Sequence, residues 1–260
     1  DALVAEKERM LALLEEKRAA LISRAVTRGL DPNAPLKPSG LDWIGDIPAH
    51  WDVMRLRVLI IALDQGWSPQ ASNQPAEEGE IGVLKLSAVS RGFFDPHENK
   101  ALGVEIPYPP ELGLKAGDVL VTRANTPSLV GEACAVPSDF RELLISDLIY
   151  RLRVRRDVVE PEYLVAFLIS AAGKTQIRRD ARGSSGSMVK ISQEHIKNWA
   201  LPLPPISEQH FTLDRLSQER RRTSELEASL RRSVNLLRER RSALITAAVT
   251  GQIEPEAMRA

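Results

Sequence analysis

The chain has 260 residues and a formal net charge of zero, with 43% hydrophobic and 27% charged residues. These values are ordinary for a globular protein and argue against a simple polycation that coats nucleic acid. No apolar run approaches the roughly 18 residues that span a bilayer, and the N-terminus lacks the layout of a signal peptide. Cys134 is the only cysteine, which excludes an internal disulfide and a cysteine-based zinc site and is consistent with a cytoplasmic protein.

One sequence segment occurs twice, at residues 16–30 and at residues 239–253, a separation of 223 positions (239 − 16). The matches include Leu21 with Leu244, Ile22 with Ile245, Val26 with Val249, and Thr27 with Thr250. A separation this long is incompatible with a solenoid. The repeat therefore favours two equivalent helices that flank one globular insert.

Both copies of the repeat lie at the ends of predicted helices. Apolar residues recur every three or four positions over residues 1–28, and Gly29 provides a C-terminal stop. A second helix is predicted from residue 207 to about residue 250, a rod of roughly 65 Å with an imperfect apolar seam interrupted by Arg220 and Arg241. A helix this long and this charged predicts an antiparallel coiled coil with the first helix. The alternative is a capped α+β domain with two unrelated terminal helices, which the repeat disfavours.

The insert is predicted to combine short strands with helices. Residues 31–51 are rich in Pro, Gly and Trp and are expected to lie against a core as an irregular segment. Strands are predicted at 53–58, 82–87, 118–122 and 149–155. These are followed by a helix that begins at Pro161, a helical stretch at 175–182 and a flexible turn at 183–187. A helix N-cap is predicted at Ser192 and an extended segment at 201–205. The predicted fold class is α+β, a mixed α/β domain flanked by two long helices.

Charge is distributed unevenly within the insert. Residues 151–200 carry ten Lys and Arg against five Asp and Glu, whereas residues 31–150 carry nine against seventeen. The local balances of +5 and −8 are typical of a protein with one face for an anionic ligand. Salt bridges spread over a solvated surface would produce the same totals, so the charge pattern alone leaves both interpretations open.

Motifs for catalysis are missing from the sequence. No Gly-rich phosphate loop follows a strand, the four histidines have no metal-ligand spacing, and no Gly-x-Ser-x-Gly elbow is present. We therefore predict no catalytic residue, no metal and no cofactor. Four polar loops remain, at residues 66–70, 85–92, 122–126 and 178–190, and their Arg, Asn, Gln, Ser and Lys side chains are those that bind bases and phosphates. Arg123 could equally form a buried salt bridge.

Several segments in a fixed order also carry a family resemblance. They are residues 21–51, residues 114–123 with 129–131, residues 181–184 with 191–192, residues 201–209, and residues 247–252. In this combination the chain resembles the second half of the specificity (S) subunit of type I restriction–modification systems. The resemblance covers nearly the whole chain, although no single segment is specific.

The resemblance implies a division of the chain and a function. Residues 31–204 would form one target recognition domain, and residues 1–30 and 205–260 would form spacer helices that act as a ruler between the halves of a bipartite double-stranded DNA target. Methylation of adenine, with S-adenosylmethionine, and cleavage belong to separate modification and restriction subunits in this family. The chain itself is then expected to be non-catalytic and to position those partners.

The resemblance also leads to a set of expected DNA contacts. Base contacts are predicted for Arg123, Asn125 and Arg182, and phosphate contacts for Ser184, Ser187 and Lys190. The full set of candidate DNA-binding residues is Ser68, Gln70, Lys85, Arg123, Asn125, Arg179, Arg182, Ser184, Ser187 and Lys190.

The chain departs from the family pattern at one point, because a full-length member has two recognition domains and this chain has one. We expect either a truncated form or a natural half-subunit, and in both cases a homodimer through the spacer helices. Two functions of other classes remain as alternatives. One is a coiled-coil adaptor that binds proteins, and the other is an enzyme with an unrecognised site.

Overall fold

The computed structural model describes residues 2–72, 74–103, 105–185 and 188–252, with the backbone alone at 182–185. The helices in this part of the chain are α1 (Ala2–Thr27), α2 (Leu56–Leu59), α3 (Pro161–Ile169), α4 (Ala171–Asp180), α5 (Gln193–Asn198) and α6 (Ile206–Val249). None of them combines the length and the apolarity that crossing a membrane requires.

Short strands make up most of the region between α1 and α3. In chain order they are β1 (Leu36–Pro38), β2 (Asp46–Pro48), β3 (Asp52–Arg55), β4 (Ile60–Gln65), β5 (Gly82–Leu84), β6 (Val89–Ser90), β7 (Phe93–Phe94), β8 (Asn99–Ala101), β9 (Gly113–Leu114), β10 (Val119–Thr122), β11 (Ala124–Asn125), β12 (Ala133–Ala135), β13 (Phe140–Leu144), β14 (Ile149–Val154), β15 (Arg182–Ser185), β16 (Met188–Lys190) and β17 (Ala200–Leu203). The predicted α+β fold class is confirmed.

The described residues fall into two compact units. The helical unit contains the residues up to 21 and those from 215 onwards, and the globular unit contains Ile22–Asp214. Each unit has its own pattern of burial, because the helical unit is held by a narrow seam between two helices and the globular unit by layered sheets.

In the helical unit, α1 and α6 run antiparallel. Ion pairs join them, among them Lys17 with Glu219 at 3.0 Å, Glu15 with Arg231 at 3.8 Å, and Glu8 with Arg238 at 2.6 Å. Thr223 and Leu230 lie seven residues apart on α6 and are buried, as is Val234. A seven-residue repeat of this kind is the seam of a left-handed coiled coil. The predicted antiparallel coiled coil is therefore confirmed.

Two arginines, one on each helix, lie close to each other. Burial and the positive charge of Arg18 lower the pKa of Arg220, which is the direction expected when a guanidinium loses water and approaches another cation. The nearby Glu219 has its pKa lowered by the hydrogen bond and the charge of Lys17. The arginine expected to interrupt the apolar seam thus lies close to a second cation on the partner helix.

Two four-stranded sheets form the body of the globular unit. The first has the strand order β12–β10–β14–β4 and is antiparallel throughout. The second has the order β8–β5–β13–β9, in which β5 and β13 run parallel. Their shared core contains Leu84, Ala88, Val89, Leu114, Leu120, Cys134, Val136, Leu143, Ile145 and Ile149. Smaller sheets pair β1 with β2, β3 with β17, and β6 with β7, and a three-stranded sheet has the order β11–β16–β15.

The strand β14 lies in the interior of the first sheet and is buried on both faces. Alternation in the sequence placed Tyr150, Leu152 and Val154 on one face, and all three are buried. Arg151, on the other face, is also buried, at 2% exposure. Its guanidinium donates to Asp64 Oδ2 and to the carbonyls of Glu111 and Gly113, at 2.7 to 3.1 Å. The charge is tolerated in the interior because it is paired and hydrogen-bonded.

The Pro- and Trp-rich segment lies against the core, as predicted, but it is not irregular throughout, because it contains the antiparallel pair β1 and β2. Ile44, Ile47 and Trp51 are buried. The indole of Trp51 donates to Glu208 Oε1 at 3.1 Å, which ties the segment to the first turn of α6. Ser192 also behaves as predicted, because its side chain and that of His195 form a reciprocal capping box at the start of α5.

Three local predictions differ from the structure. The strand predicted at 53–58 ends at Arg55, because Leu56 and Leu59 are buried together on one turn of α2. The strand predicted at 82–87 ends at Leu84 and continues as a 3₁₀ turn. The turn predicted at 183–187 is instead a strand over Arg182–Ser185, stabilised by pairing with β16, while residues 186 and 187 lie outside the described residues.

The two copies of the sequence repeat end alike but differ in exposure. In each copy a left-handed glycine stands two residues after the helix ends, Gly29 with φ 70° and Gly251 with φ 71°. Val26 in the first copy is fully buried, whereas the equivalent Val249 in the second copy is 82% exposed. Equivalent sequence positions therefore have opposite environments in a single chain.

Candidate nucleic-acid interface

Several strand ends meet at one edge of the first sheet, which we call the polar edge. β10 ends there at Thr122, β4 ends at Gln65, β14 begins at Ile149 and β12 begins at Ala133, because neighbouring strands of the sheet are antiparallel. The loops that follow β10 and β4 are two of the four polar loops singled out in the sequence. Sheet topology thus brings together residues 66–70 and residues 122–126, which are about 55 positions apart.

The three-stranded sheet β11–β16–β15 continues from the polar edge. Ala124 pairs with Lys190, and Asn125 pairs with Val189. On the other side of β16, the backbone of Arg182 pairs with that of Lys190. Three of the predicted DNA contacts, from segments about 60 residues apart, are therefore neighbours in one small sheet.

Arg123 occupies the step between β10 and β11. Its Nη1 donates to the carbonyl of Asp147 at 3.1 Å, and its Cζ lies 5.8 Å from the ring centroid of the buried Tyr150. Its Nε is buried and has no hydrogen-bond partner among the described residues. The contacts found are thus a carbonyl and an aromatic ring, and the salt bridge considered as the alternative is not formed among the described residues.

Asn125 and Lys190 differ in how freely they face solvent. Asn125 is half-buried, and its Oδ1 accepts a hydrogen bond from the backbone N–H of Thr126 at 2.8 Å. The amide nitrogen of its side chain is a donor of the kind that reads base edges. Lys190 is exposed at the end of β16, where an ammonium group suits a phosphate.

Ser68 and Gln70 are exposed in the loop that follows β4. This loop is held by Gly66, whose N–H donates to Ile149, and by Trp67, whose N–H donates to Ile145. Gly66 lies so close to the backbone of Ile145 that an added Cβ would be 2.2 Å from its carbonyl oxygen. The approach requires glycine and fixes where the loop leaves the sheet.

Lys85 and Arg179 are in different surroundings. Lys85 follows β5 in the second sheet, with Nζ 4.0 Å from Glu98. Arg179 lies in the last turn of α4, where its Cζ is 4.4 Å from the ring centroid of Trp43 and its Nε is 3.8 Å from Asp180. Both side chains thus have structural partners. The side chains of Arg182 and Ser184 and the whole of Ser187 lie outside the described residues.

A buried ion pair behind the polar edge was missed by the sequence reading. The carboxylate of Glu132, 8% exposed, accepts a hydrogen bond from Lys174 Nζ at 2.5 Å. The backbone carbonyl of Glu132 accepts the N–H of Thr122 at 2.9 Å. The sequence could have predicted this pair, because Glu132 directly precedes the apolar run Ala133–Ala135. A carboxylate that enters a buried strand requires a partner.

Metal chemistry has no visible support. Within the described residues, no group of three or more His, Cys, Asp and Glu side chains is arranged to hold a metal ion. The donors gathered at the polar edge are an amide, hydroxyls and cations, which are suited to phosphates and base edges.

Comparison with known proteins gives consistent matches. The family described as type I restriction modification DNA specificity domain matches residues 48–236. The type I restriction enzyme EcoEI specificity subunit of Escherichia coli is 29% identical over 197 residues, which are 75% of this chain and 33% of that protein. The chain thus spans about a third of the length of this relative.

Two solved structures have a similar fold. The HsdS subunit from Thermoanaerobacter tengcongensis has a TM-score of 0.54 at 19% identity, covering 96% of this chain and 54% of that one. A chain from a structure on complex assembly and conformational transition of the type I R-M system has a TM-score of 0.60 at 20% identity, covering 94% and 55%. At these identities the likeness concerns the fold.

Proposed function

Because the chain belongs to the type I restriction modification DNA specificity domain family, we propose that it reads one half of a bipartite double-stranded DNA target. In this proposal residues 31–204 are the target recognition domain. Residues 1–30 and 205–260 are the spacer helices, and the chain positions adenine methyltransferase and restriction subunits without catalysing either reaction itself. Methylome sequencing of cells that carry the chain with its modification subunit would give the target sequence.

The observation that carries the proposal is the convergence of polar loops at the polar edge. Arg123, Asn125 and Lys190 come from two distant segments, and the loop containing Ser68 and Gln70 leaves the same sheet edge. Sites that read DNA combine cations for phosphates with rigidly held Arg or Asn side chains for bases. Arg123 and Asn125 are held by the sheet, and Lys190 is exposed at the end of β16.

Salt dependence of binding tests the proposal. Fluorescence anisotropy with a pool of labelled random duplexes measures affinity between 50 and about 200 mM salt, a range in which several phosphate contacts lower DNA affinity by orders of magnitude. We expect Lys190→Ala to reduce the slope of log K against log salt by about one unit. Lys115→Ala is the matched control, because Lys115 is exposed before β10 begins, at the opposite end of the strand from Arg123.

Base reading is tested by Asn125→Ala and Arg182→Ala in a selection from random duplexes. We expect each variant to relax the preference at one position of the selected motif, with a cost of about 1–3 kcal/mol for a lost bidentate contact. Arg123→Ala also removes the contacts to Asp147 and Tyr150, so its unfolding free energy must be measured in parallel. Unchanged site preference in all these variants would show that the assignment of base contacts is wrong.

The adaptor and enzyme alternatives predict different results. A protein-binding adaptor would show little change in affinity between low and high salt and no DNA binding that depends on Lys190. An enzyme with an unrecognised site would transfer a methyl group or cleave DNA as the isolated chain. Neither activity is expected, because chemistry is assigned to the partner subunits in this proposal.

We also propose that two copies of the chain associate through the second copy of the repeat. In the first copy, Ala25 and Val26 are buried within the globular unit, and the carbonyl of Val26 is 3.5 Å from the hydroxyl of Tyr163. In the second copy, Ile245 and Val249 are 45% and 82% exposed. Because the sequences match, the second copy is suited to an equivalent globular unit, and a second chain provides one.

Light scattering tests the association. We expect the wild-type chain to form a dimer and Val249→Glu to shift it towards the monomer, since a charge would enter an apolar contact. Val58→Glu is the matched control, because Val58 is an exposed valine on α2 in the globular unit. A wild-type chain that stays monomeric at high concentration would remove the dimer while leaving DNA reading intact.

A further inference from the structure

The hairpin formed by β6 and β7 has an unusual residue at its tip. Its two turn residues are Arg91, with φ 46°, and Gly92, with φ 86°. Turns of this kind have positive φ at both central positions and favour Asn, Asp or Gly, because a Cβ collides with the backbone there. Arg91 is the one non-glycine residue with positive φ in the described part of the chain.

The strained backbone of Arg91 is held by the buried ion pair behind the polar edge. The N–H of Arg91 donates to Glu132 Oε2 at 2.6 Å, while Lys174 occupies the other oxygen of the same carboxylate. The N–H of Gly92 donates to the carbonyl of Ala133 at 2.9 Å. Both turn residues are therefore tied to Glu132 and Ala133, where β12 begins, and the turn cannot relax without breaking a buried charge-assisted bond.

These contacts also locate Arg91. Glu132 binds Arg91 through its carboxylate and Thr122 through its backbone carbonyl, and Arg123 follows Thr122 directly. The hairpin tip therefore lies beside the end of β10, at the polar edge from which Arg123 and Asn125 emerge. The side chain of Arg91 itself is exposed, unlike that of Arg123.

If Arg91 served only to improve solubility, its backbone would not need a positive φ. Glycine or asparagine at position 91 would form the same turn with less strain, and an arginine could be exposed from an ordinary position. Strained backbone maintained by buried partners is characteristic of residues whose direction matters. The fixed backbone sets the point from which the side chain starts, and a guanidinium presented there is suited to the two acceptors of guanine in the major groove.

We propose that Arg91 is a base-contacting residue of the recognition surface, on a turn whose backbone is held by the carboxylate of Glu132. This inference rests on the proposed function and extends it to a residue outside the predicted set. It assigns the β6–β7 hairpin a role beside the loops that follow β4 and β10. The contact is sequence-specific, in contrast to a phosphate contact made by a mobile lysine.

Arg91→Gly separates this role from a structural one. Glycine adopts the required φ without strain, so the variant is expected to unfold at the same urea concentration as the wild type or at a higher one. The whole 260-residue chain is used to select from a pool of random duplexes, and the enriched duplex is compared with a scrambled one. Arg57→Gly, at an exposed position of α2, is the control for loss of an arginine charge.

We expect Arg91→Gly to lose about tenfold or more in affinity for the enriched duplex, with much less loss for the scrambled duplex and a relaxed preference at one base pair. Equal loss on both duplexes, with a salt slope reduced by about one, would overturn the inference in favour of a phosphate contact. Wild-type affinity and motif in Arg91→Gly would overturn it as well. If the wild-type chain enriches no motif, both the proposed function and this inference fall.

Discussion

Replacement of Arg151 by methionine should destabilise the globular unit strongly. Arg151 is 2% exposed, and its guanidinium donates four hydrogen bonds, two to Asp64 and one each to the carbonyls of Glu111 and Gly113. Methionine fills much of the space but leaves the carbonyls and the nearby Asp118, also buried, with less compensation. Breaking a buried ion pair by removing one partner costs about 3–5 kcal/mol. Because a domain is stable by about 5–15 kcal/mol, the loss is a large fraction of the total.

Urea unfolding followed by tryptophan fluorescence measures this loss in the globular unit. All four tryptophans lie between residues 43 and 199, so their fluorescence reports this unit and excludes the helical unit. With a slope of about 1–3 kcal/mol per molar urea, we expect the midpoint of Arg151→Met to fall by 1 M or more. Arg155→Met is the matched control, because Arg155 follows directly after β14, is half exposed and pairs with the exposed Asp157, a contact that contributes about 0–1 kcal/mol. Equal midpoints for the two variants would refute the reasoning.

Three further predictions concern packing, capping and the single thiol. Gly131→Ala should lower the unfolding free energy more than Gly40→Ala in urea titration. Both glycines have positive φ, but a Cβ at position 131 would lie 2.5 Å from Ile177, whereas a Cβ at position 40 would meet nothing within 4 Å. Ser192→Ala should cost about 1 kcal/mol in the same assay, since it removes the N-cap of α5. Burial raises the pKa of Cys134 from 9.0 to about 12. At neutral pH the thiolate is therefore about a thousandfold scarcer in the folded chain than in the unfolded chain. Ellman's reagent should then react with Cys134 only as fast as the chain opens.

The sign of the thiol effect on stability follows from the same values. Between pH 9 and about 12 the folded chain keeps a proton on Cys134 that the unfolded chain releases. Stability should therefore fall as pH rises through this range and be independent of Cys134 below pH 9. Cys134→Ala should abolish this contribution. Rapid labelling of the native thiol at pH 8, equal losses in the two glycine variants, or an unaltered midpoint for Ser192→Ala would each contradict the corresponding prediction.

The long helices and their pairing were predictable from sequence because their signals are local and periodic. The spacing of apolar residues along α6 and the glycine after the end of each helix can be read directly from the sequence. The family resemblance was predictable for a similar reason, since it depends on ordered segments, and the family match over residues 48–236 confirms it. The short strands were less accurate, because burial of Leu56 and Leu59 overrides the alternation that predicted a longer β3.

The ten candidate DNA contacts remain a prediction, but tertiary structure divides them into groups with different surroundings. Asn125 and Lys190 meet in one sheet, Arg123 is anchored to Asp147 and Tyr150, and Arg179 lies over Trp43. Composition cannot distinguish an arginine that faces solvent from one that contacts an aromatic ring. That difference depends on which distant segment lies beside it.

The sequence by itself determined the repeat, the two helices, the α+β class and the family, because periodicity, capping and ordered motifs are properties of neighbouring residues. Only the tertiary structure decided that β10, β4, β12 and β14 present their polar loops at one edge, and that Glu132 holds the backbone of Arg91. It also decided that Val26 is covered while its repeat partner Val249 is exposed. Strand order, the partner of a buried charge and the exposure of an apolar side chain depend on contacts between residues far apart in the chain. Local pattern carries no information on which of those contacts form.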